Sequence, residues 1–273
     1  KQKGPQLTHD SQFSTESGQE DNPVKEEPKW NLSASSEKGT EENTAPSSEE
    51  TKWNPSESQD YPVSCPNCGQ ETPFALWVML NAKENPEEAK QLAAGSLASF
   101  TCPHCGYHTL LNYPCLYMDP DRNLMIYNVC DDNEMMEQAI ETFDTLQREN
   151  DSISNATFRI VESTAQLSDK VTTYAAGFDD KAMEVLKLSV LGHAQSQGKV
   201  TEDSYCAVQF IEHKDNELHF RIQADEETFL SSISAEAYQV FADSLAATET
   251  PLVHPYVVDL EWAYHALSAI ANS

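Results

Sequence analysis

Four cysteines carry the clearest chemistry in this sequence. Cys65-Pro66-Asn67-Cys68-Gly69 and Cys102-Pro103-His104-Cys105-Gly106 are one five-residue device written twice, differing only in the residue between Pro and the second Cys. Residues 69 to 101 separate Cys68 from Cys102. Four thiolates can close a tetrahedron around zinc, with Zn–S bonds of about 2.3 Å. Pro stiffens the turn, and Gly lets the backbone curl beneath the metal so that amide N–H groups point at sulfur. Those N–H groups help a cluster of negative sulfurs tolerate one another. Cys65, Cys68, Cys102 and Cys105 are therefore the expected metal ligands. A catalytic zinc keeps one position open for water, and four cysteines fill every position, so the site reads as structural.

Two other chemistries use the same residues. Rubredoxin-like iron sites employ similar paired turns, and four sulfurs do not discriminate between the metals by geometry. Zinc is preferred because the insert carries its own helix pattern and no compact aromatic redox core is evident. Paired dithiols can also exchange disulfides, a role that suits a single Cys-x-x-Cys in a βαβ setting rather than two Pro-containing turns. His104 and His108 lie in or just beyond the second turn, where they either donate to sulfur or sit exposed in the loop. Cys115, Cys130 and Cys206 lack a partner spacing and read as small buried hydrophobes.

No catalytic constellation competes with the cysteines. The sequence has no His-Glu-x-x-His, no Gly-x-Ser-x-Gly and no Gly-rich phosphate loop with its lysine. Enzyme activity, a hydrolase for instance, would need a site at the junction of the cysteine region and the C-terminal region, since domain junctions are common places for pockets. Nucleic-acid binding, which many zinc ribbons perform, needs a basic face. The whole chain carries 17 Lys+Arg against 45 Asp+Glu, a net charge of −28. Residues 61–130 hold only Lys83, Lys90 and Arg122 against six acids. Phosphate backbones and anionic membranes repel such a surface. No apolar run approaches the roughly 20 residues of a membrane span. An odd set of seven cysteines suits a reducing compartment, the cytoplasm, better than a disulfide scaffold. The residues given contain no signal peptide, and they begin at Lys1 rather than Met, which leaves room for an upstream segment.

Around the cysteines the chain divides into three. Residues 1–60 read as a disordered, acidic, low-complexity tail, with few large apolar side chains to offset ordering entropy. Within it Glu26-Glu27-Pro28-Lys29-Trp30-Asn31 recurs as Glu49-Glu50-Thr51-Lys52-Trp53-Asn54. The repeat reads either as a duplicated docking motif anchored on Trp or as drifting low complexity. Residues 61–197 form the metal-binding domain. Strands are expected at 74–80 and 97–101, a helix starting at Asn85-Pro86 lies between them, and a hairpin of 107–118 with 124–129 comes next across 119–123. Helices at 131–150, 167–176 and 180–195 are expected from apolar stripes at helical spacing, with a strand at 158–161. Residues 198–273 form an α+β region, with a hairpin of 205–213 and 218–223 and helices capped by Ser234 and Asp259. The fold class is α+β: a zinc-ribbon-like β core with helices, a C-terminal α+β unit and a disordered N-terminal tail.

Residues 61 to about 190 resemble the CpXC domain family, found mainly in bacteria. The resemblance rests on both cysteine turns, on the run Gly95-Ser96-Leu97-Ala98-Ser99-Phe100-Thr101 before the second, on Leu111-Asn112-Tyr113-Pro114, and on the Asp-rich helix starting near Phe178-Asp179-Asp180. It implies a zinc-binding domain whose activity is uncharacterised. The expectation is thus a non-enzymatic cytoplasmic protein, its zinc structural, presenting an acidic surface to a protein partner.

Overall fold

The computed structural model describes residues 53–150, 153–201, 204, 206–225, 227–248 and 254–271. The upstream copy of the Lys-Trp-Asn repeat and the rest of residues 1–52 lie outside the described residues. In chain order the elements are β1 (Glu57–Ser64), β2 (Glu71–Asn81), α1 (Pro86–Ala93), β3 (Ser99–Thr101), β4 (His108–Leu110), β5 (Cys115–Asp119), β6 (Leu124–Asn128), α2 (Asn133–Glu149), β7 (Thr157–Val161), α3 (Thr164–Ala175), α4 (Asp180–Ser196), β8 (Cys206–Lys214), β9 (Glu217–Ala224), β10 (Glu227–Ser234), α5 (Ala235–Ala246) and α6 (Leu260–Ala271). The α+β expectation holds, with the cysteine turns in a β-rich region.

Side-chain alternation builds the central layer. The largest sheet runs β1-β2-β5-β6-β7, with β5 antiparallel to β6 and parallel pairing at β2–β5 and β6–β7. Every residue of β5 and β6 is buried, so both faces of the sheet are covered. One face sends Leu80, Tyr117, Ile126 and Val161 into a cluster with Leu92 of α1 and Leu167 and Val171 of α3. The other sends Leu116, Met118, Phe158 and Ile160 against Ala139 and Phe143 of α2. Asp132 starts α2 by accepting the Met135 N–H at 2.9 Å. The β7 edge is closed by the Ile160 N–H, which donates to the Tyr256 carbonyl at 3.0 Å.

The second sheet, β10-β9-β8, is antiparallel. Asp215 and Asn216 both have positive φ (52° and 64°), the backbone a tight two-residue hairpin demands. Val208, Phe210, Leu218, Phe220 and Ile222 pack on Met183, Leu186 and Val190 of α4. Helix α6 packs Trp262, Ala263 and Ala266 near Val185 on another side of α4.

Three expectations need correcting. Residues 107–118 are not one strand. After β4 the chain leaves the ribbon at Asn112-Tyr113-Pro114 and re-enters as β5 in a different sheet. Pro114 has no N–H to continue a ladder, and the Asn112 Oδ1 accepts from the Thr164 N–H at 2.9 Å. Strand β1 begins inside the segment expected to be a tail. Its residues are exposed apart from the half-buried Val63, so backbone pairing with β2, not an apolar pattern, holds it. Strand β10 is an addition to the expected elements, because Phe229, Leu230 and Ile233 are its only large apolar residues.

The interior between β7, α3 and α4 holds an unbroken chain of ions. Asp169 pairs with Lys187, Lys187 with Glu184 (2.9 Å), Glu184 with Lys170 (2.7 Å), Lys170 with Asp180 (3.0 Å), and Asp180 with Arg159 (2.7 Å). Signs alternate throughout, three acids with three bases, and all six residues are buried. The ends are tied as well. Phe210 of β8 donates its N–H to Asp169 Oδ1 at 2.7 Å, and Arg159 Nη1 donates to the Phe158 carbonyl at 2.8 Å. Next to that end the Tyr174 hydroxyl donates to Asp180 Oδ1 at 2.6 Å. Burial alone would raise Asp180, but Lys170 and Arg159 overcome it and hold its carboxyl well below the usual range. Asp169 goes the other way: burial and the Glu184 charge outweigh Lys187 and push its carboxyl up.

Candidate metal centre

Each cysteine turn is the tip of an antiparallel hairpin. The first joins β1 to β2, whose last pair before the tip is Ser64 with Glu71. The second joins β3 to β4, closing on Thr101 with His108. The same two backbone bonds shape both tips. In the first, the Cys65 N–H donates to the Gln70 carbonyl at 3.0 Å and the Gly69 N–H to the Cys65 carbonyl at 2.8 Å. In the second, the Cys102 N–H donates to the Tyr107 carbonyl at 2.8 Å and the Gly106 N–H to the Cys102 carbonyl at 2.9 Å. Gly69 and Gly106 take φ of 69° and 75°, a left-handed backbone that side chains resist.

The tips face one another, and the structure brings all four expected ligands together. Their Sγ atoms lie within 4.8 Å of one another. Across the tips, Cys65 Sγ is 3.6 Å from Cys105 Sγ and Cys68 Sγ is 3.7 Å from Cys102 Sγ. A tetrahedron with metal–sulfur bonds of about 2.3 Å has edges of about 3.8 Å, so the donor set fits one four-coordinate ion. Cys65 and Cys102 are 1% exposed, while Cys68 and Cys105 face solvent. A small apolar cluster lies beneath: Cys65, Phe100 and Cys102, with Val63, Phe74 and Leu111 packed against it. The rings of Phe74 and Phe100 meet edge to face at 5.9 Å.

Hydrogen bonds to sulfur distinguish the two exposed cysteines. The Asn67 side chain reaches across from the first tip to Cys105, and the Tyr107 backbone N–H joins it; together they pull that thiol down to about 6. At Cys68 the Gln70 backbone N–H pulls down, but desolvation and the neighbouring sulfurs outweigh it and the thiol rises to about 12. Asn67 sits at the one position where the two turns differ, so the substitution has a structural use: it braces one tip against the other.

The remaining sequence candidates fall elsewhere. His104 is exposed, and His108 is hydrogen-bonded through Nδ1 to Thr101 Oγ1 at 3.1 Å. Among the described residues no other group of His, Cys, Asp or Glu gathers its donor atoms as closely. Cys115 is buried as expected, and burial pushes its thiol up to about 12. Cys130 and Cys206 are only half-buried, a correction to the expectation: Cys130 lies in the turn after β6 and Cys206 is the first residue of β8, paired opposite Ala224. The six-membered ion chain escapes sequence reasoning. Its only trace in the sequence is the polar stripe Asp180, Glu184, Lys187 at helical spacing, which a solvated helix face would show equally.

With paired hairpin tips, a four-sulfur cluster and a helix α4 that carries three of the buried ions, the architecture can be compared with known proteins. Residues 63–187 match the CpXC protein family. The matched stretch spans both cysteine tips and stops at Lys187, the last of the six buried ions in sequence order. No curated protein and no solved structure matches the chain.

Proposed function

We propose that the CpXC region holds one zinc ion as a structural element, and that the protein acts by binding another protein rather than by catalysis. The observation that carries this reading is the closed donor set: four sulfurs at tetrahedral spacing, with no fifth donor of the His, Cys, Asp or Glu kind gathered with them among the described residues. Zinc held in that way stabilises the fold and leaves no position for water or substrate. Zinc is preferred over iron because the apolar support under the sulfurs is slight, one Phe74–Phe100 pair rather than an aromatic redox core.

The tip also carries exposed apolar side chains. Tyr61, Tyr107 and Leu110, all on the ribbon strands and turns, are 50%, 38% and 43% exposed. Set in a chain of net charge −28, they suit a protein partner with a basic rim and disfavour nucleic acid. Among the described residues no helix is long and apolar enough to cross a membrane. Unpaired thiols suit the reducing cytoplasm.

Metal analysis of the purified chain tests the first half. One zinc per chain and X-ray absorption showing four sulfurs at about 2.3 Å are expected; a red, iron-containing sample rejects zinc. For the second half, Tyr107→Ala with Leu110→Ala should keep the metal and lose a partner that the unaltered chain retains in affinity purification. A partner retained equally by both chains rejects the tip as the contact surface.

A further inference from the structure

The sheet edges are guarded unequally. Strand β1, one edge of the largest sheet, carries Glu57, Asp60 and Pro62 and a bulge between Glu57 and Ser58. At the opposite edge β7 gives its Ile160 N–H to the Tyr256 carbonyl. In the ribbon, β3 and β4 are only three residues each. Strand β8 has a bulge between Phe210 and Glu212, and its Phe210 N–H is taken by Asp169 of α3. Charge, proline, bulges, shortness and cover are the devices that keep an edge from pairing with another chain. Strand β10 lacks them. It runs eight residues, Glu227–Ser234, without a bulge, and holds no charge or proline beyond its first position. Among the described residues no strand pairs with its outer side, and Leu230 at its middle is 70% exposed.

The register decides which backbone groups are free. The Ala235 N–H donates to the Asn216 carbonyl at 2.9 Å, one step beyond the pairing of Ser234 with Glu217. Bonded residues alternate along an antiparallel ladder, so Glu227, Phe229, Ser231 and Ile233 bond to β9, while Thr228, Leu230 and Ser232 aim N–H and C=O at the open edge. Side chains sort in the same step. Phe229 and Ile233 pack on the apolar cluster against α4, and Thr228, Leu230 and Ser232 are exposed. Ser234 faces the edge too, but it is the N-cap of α5, so its carbonyl is committed to the helix.

We propose that β10 is a pairing surface for a second copy of this chain, the two β10 strands running antiparallel about Leu230. A two-fold axis normal to the sheet keeps both core faces on one side. Centred on Leu230, it sets Leu230 against Leu230 and Thr228 against Ser232 of the second copy. Every edge-facing residue ahead of the α5 cap then meets another, each pair exchanging two hydrogen bonds. The two exposed leucines cover each other. Charge selects both the occupant and its direction. Beyond Glu227 the strand has no charge with which to recognise a charged peptide. Antiparallel pairing holds the two Glu227 residues about 20 Å apart, beyond the screening length, whereas parallel pairing brings them side by side. A net charge of −28 on each copy opposes association, so added salt should strengthen the dimer.

Sedimentation equilibrium of the full chain, over a range of protein concentrations in low and high salt, tests this. A monomer–dimer equilibrium is expected, shifted toward dimer by salt. Leu230→Lys and Leu230→Glu each place like charges on the axis and should weaken the dimer about 30-fold or more. Circular dichroism and metal content should not change, because the side chain is exposed. An equimolar mixture of the two variants should dimerise again. Should either variant misfold, Ser232→Pro replaces the pair, since it removes only an N–H at the open edge, and the same loss is expected. Three results overturn the proposal: a chain that stays monomeric in high salt at every concentration, a dimer that Leu230→Lys forms as tightly as the unaltered chain, or a mixture that stays monomeric.

Discussion

The ribbon tip and the central sheet are held by opposite means. At the tip, the ends of two hairpins meet over one fully buried aromatic ring, Phe100, and four sulfurs do what a core would otherwise do. In the sheet, two apolar clusters cover both faces, and a neutral run of six buried ions fastens α3 and α4 behind it. Small apolar support requires an external ligand to fold. Buried ions need the reverse: enough surrounding structure to fix every partner, since a charge left unpaired in the interior is costly. The first design can be specified in two five-residue turns, whereas the second needs partners from β7, α3, α4 and β8 at once.

The largest effect should come from the metal. Cys102→Ser is expected to abolish metal binding, a loss on the order of 10 kcal/mol for a structural zinc, with the damage concentrated in the tip. Metal stoichiometry and the near-ultraviolet signal of the tip tyrosines would show it. A Cys102→Ser chain that keeps one tightly held ion contradicts the assignment.

Next is the ion chain. Asp180→Asn leaves Arg159 and Lys170 facing each other without the carboxylate that pairs with both, and should cost about 3–5 kcal/mol in denaturant unfolding. Metal content should be unchanged, which separates the two regions. Asp169→Asn should cost less, about 1–3 kcal/mol. Glu184 still pairs Lys187, and the amide oxygen can still accept the Phe210 N–H.

The pH response should separate the same two residues more finely. Asp180 is depressed, so its stabilisation is present above the ordinary unfolded carboxylate value, near pH 4, and is lost as pH falls toward the folded value. Asp169 is raised, so its contribution has the opposite sign: it is present below the unfolded value and declines as pH rises through the folded one. Asp180→Asn should therefore flatten the acid limb of the stability curve, and Asp169→Asn should not. An acid limb unchanged by Asp180→Asn would mean that the network does not hold that carboxylate ionised.

The sequence discloses each region in proportion to how local its determinants are. The cysteine tips, the helix start at Asn85-Pro86, the helix beginning within two residues of Asp131, and the Asp215-Asn216 turn are all legible, because each is set by a few adjacent residues. Strand β1 is not, since its exposed residues have no alternation to read and its stability comes from β2 and from Asn81. The break at Asn112-Tyr113-Pro114 is hidden for a related reason: the partner that fixes Asn112 is Thr164, far along the chain. Asp180, Glu184 and Lys187 look like a wet helix face. Only the tertiary fold, which sets Arg159, Asp169 and Lys170 against them, makes that stripe an interior.

Hydrogen exchange on the metal-loaded and chelated full chain tests the division most directly. Removing the metal should expose amides in residues 61–74 and 97–110 while β5, β6 and β7 keep their protection. Loss of protection spreading equally through residues 115–128 and 157–161, or no change at the tip, would contradict the account.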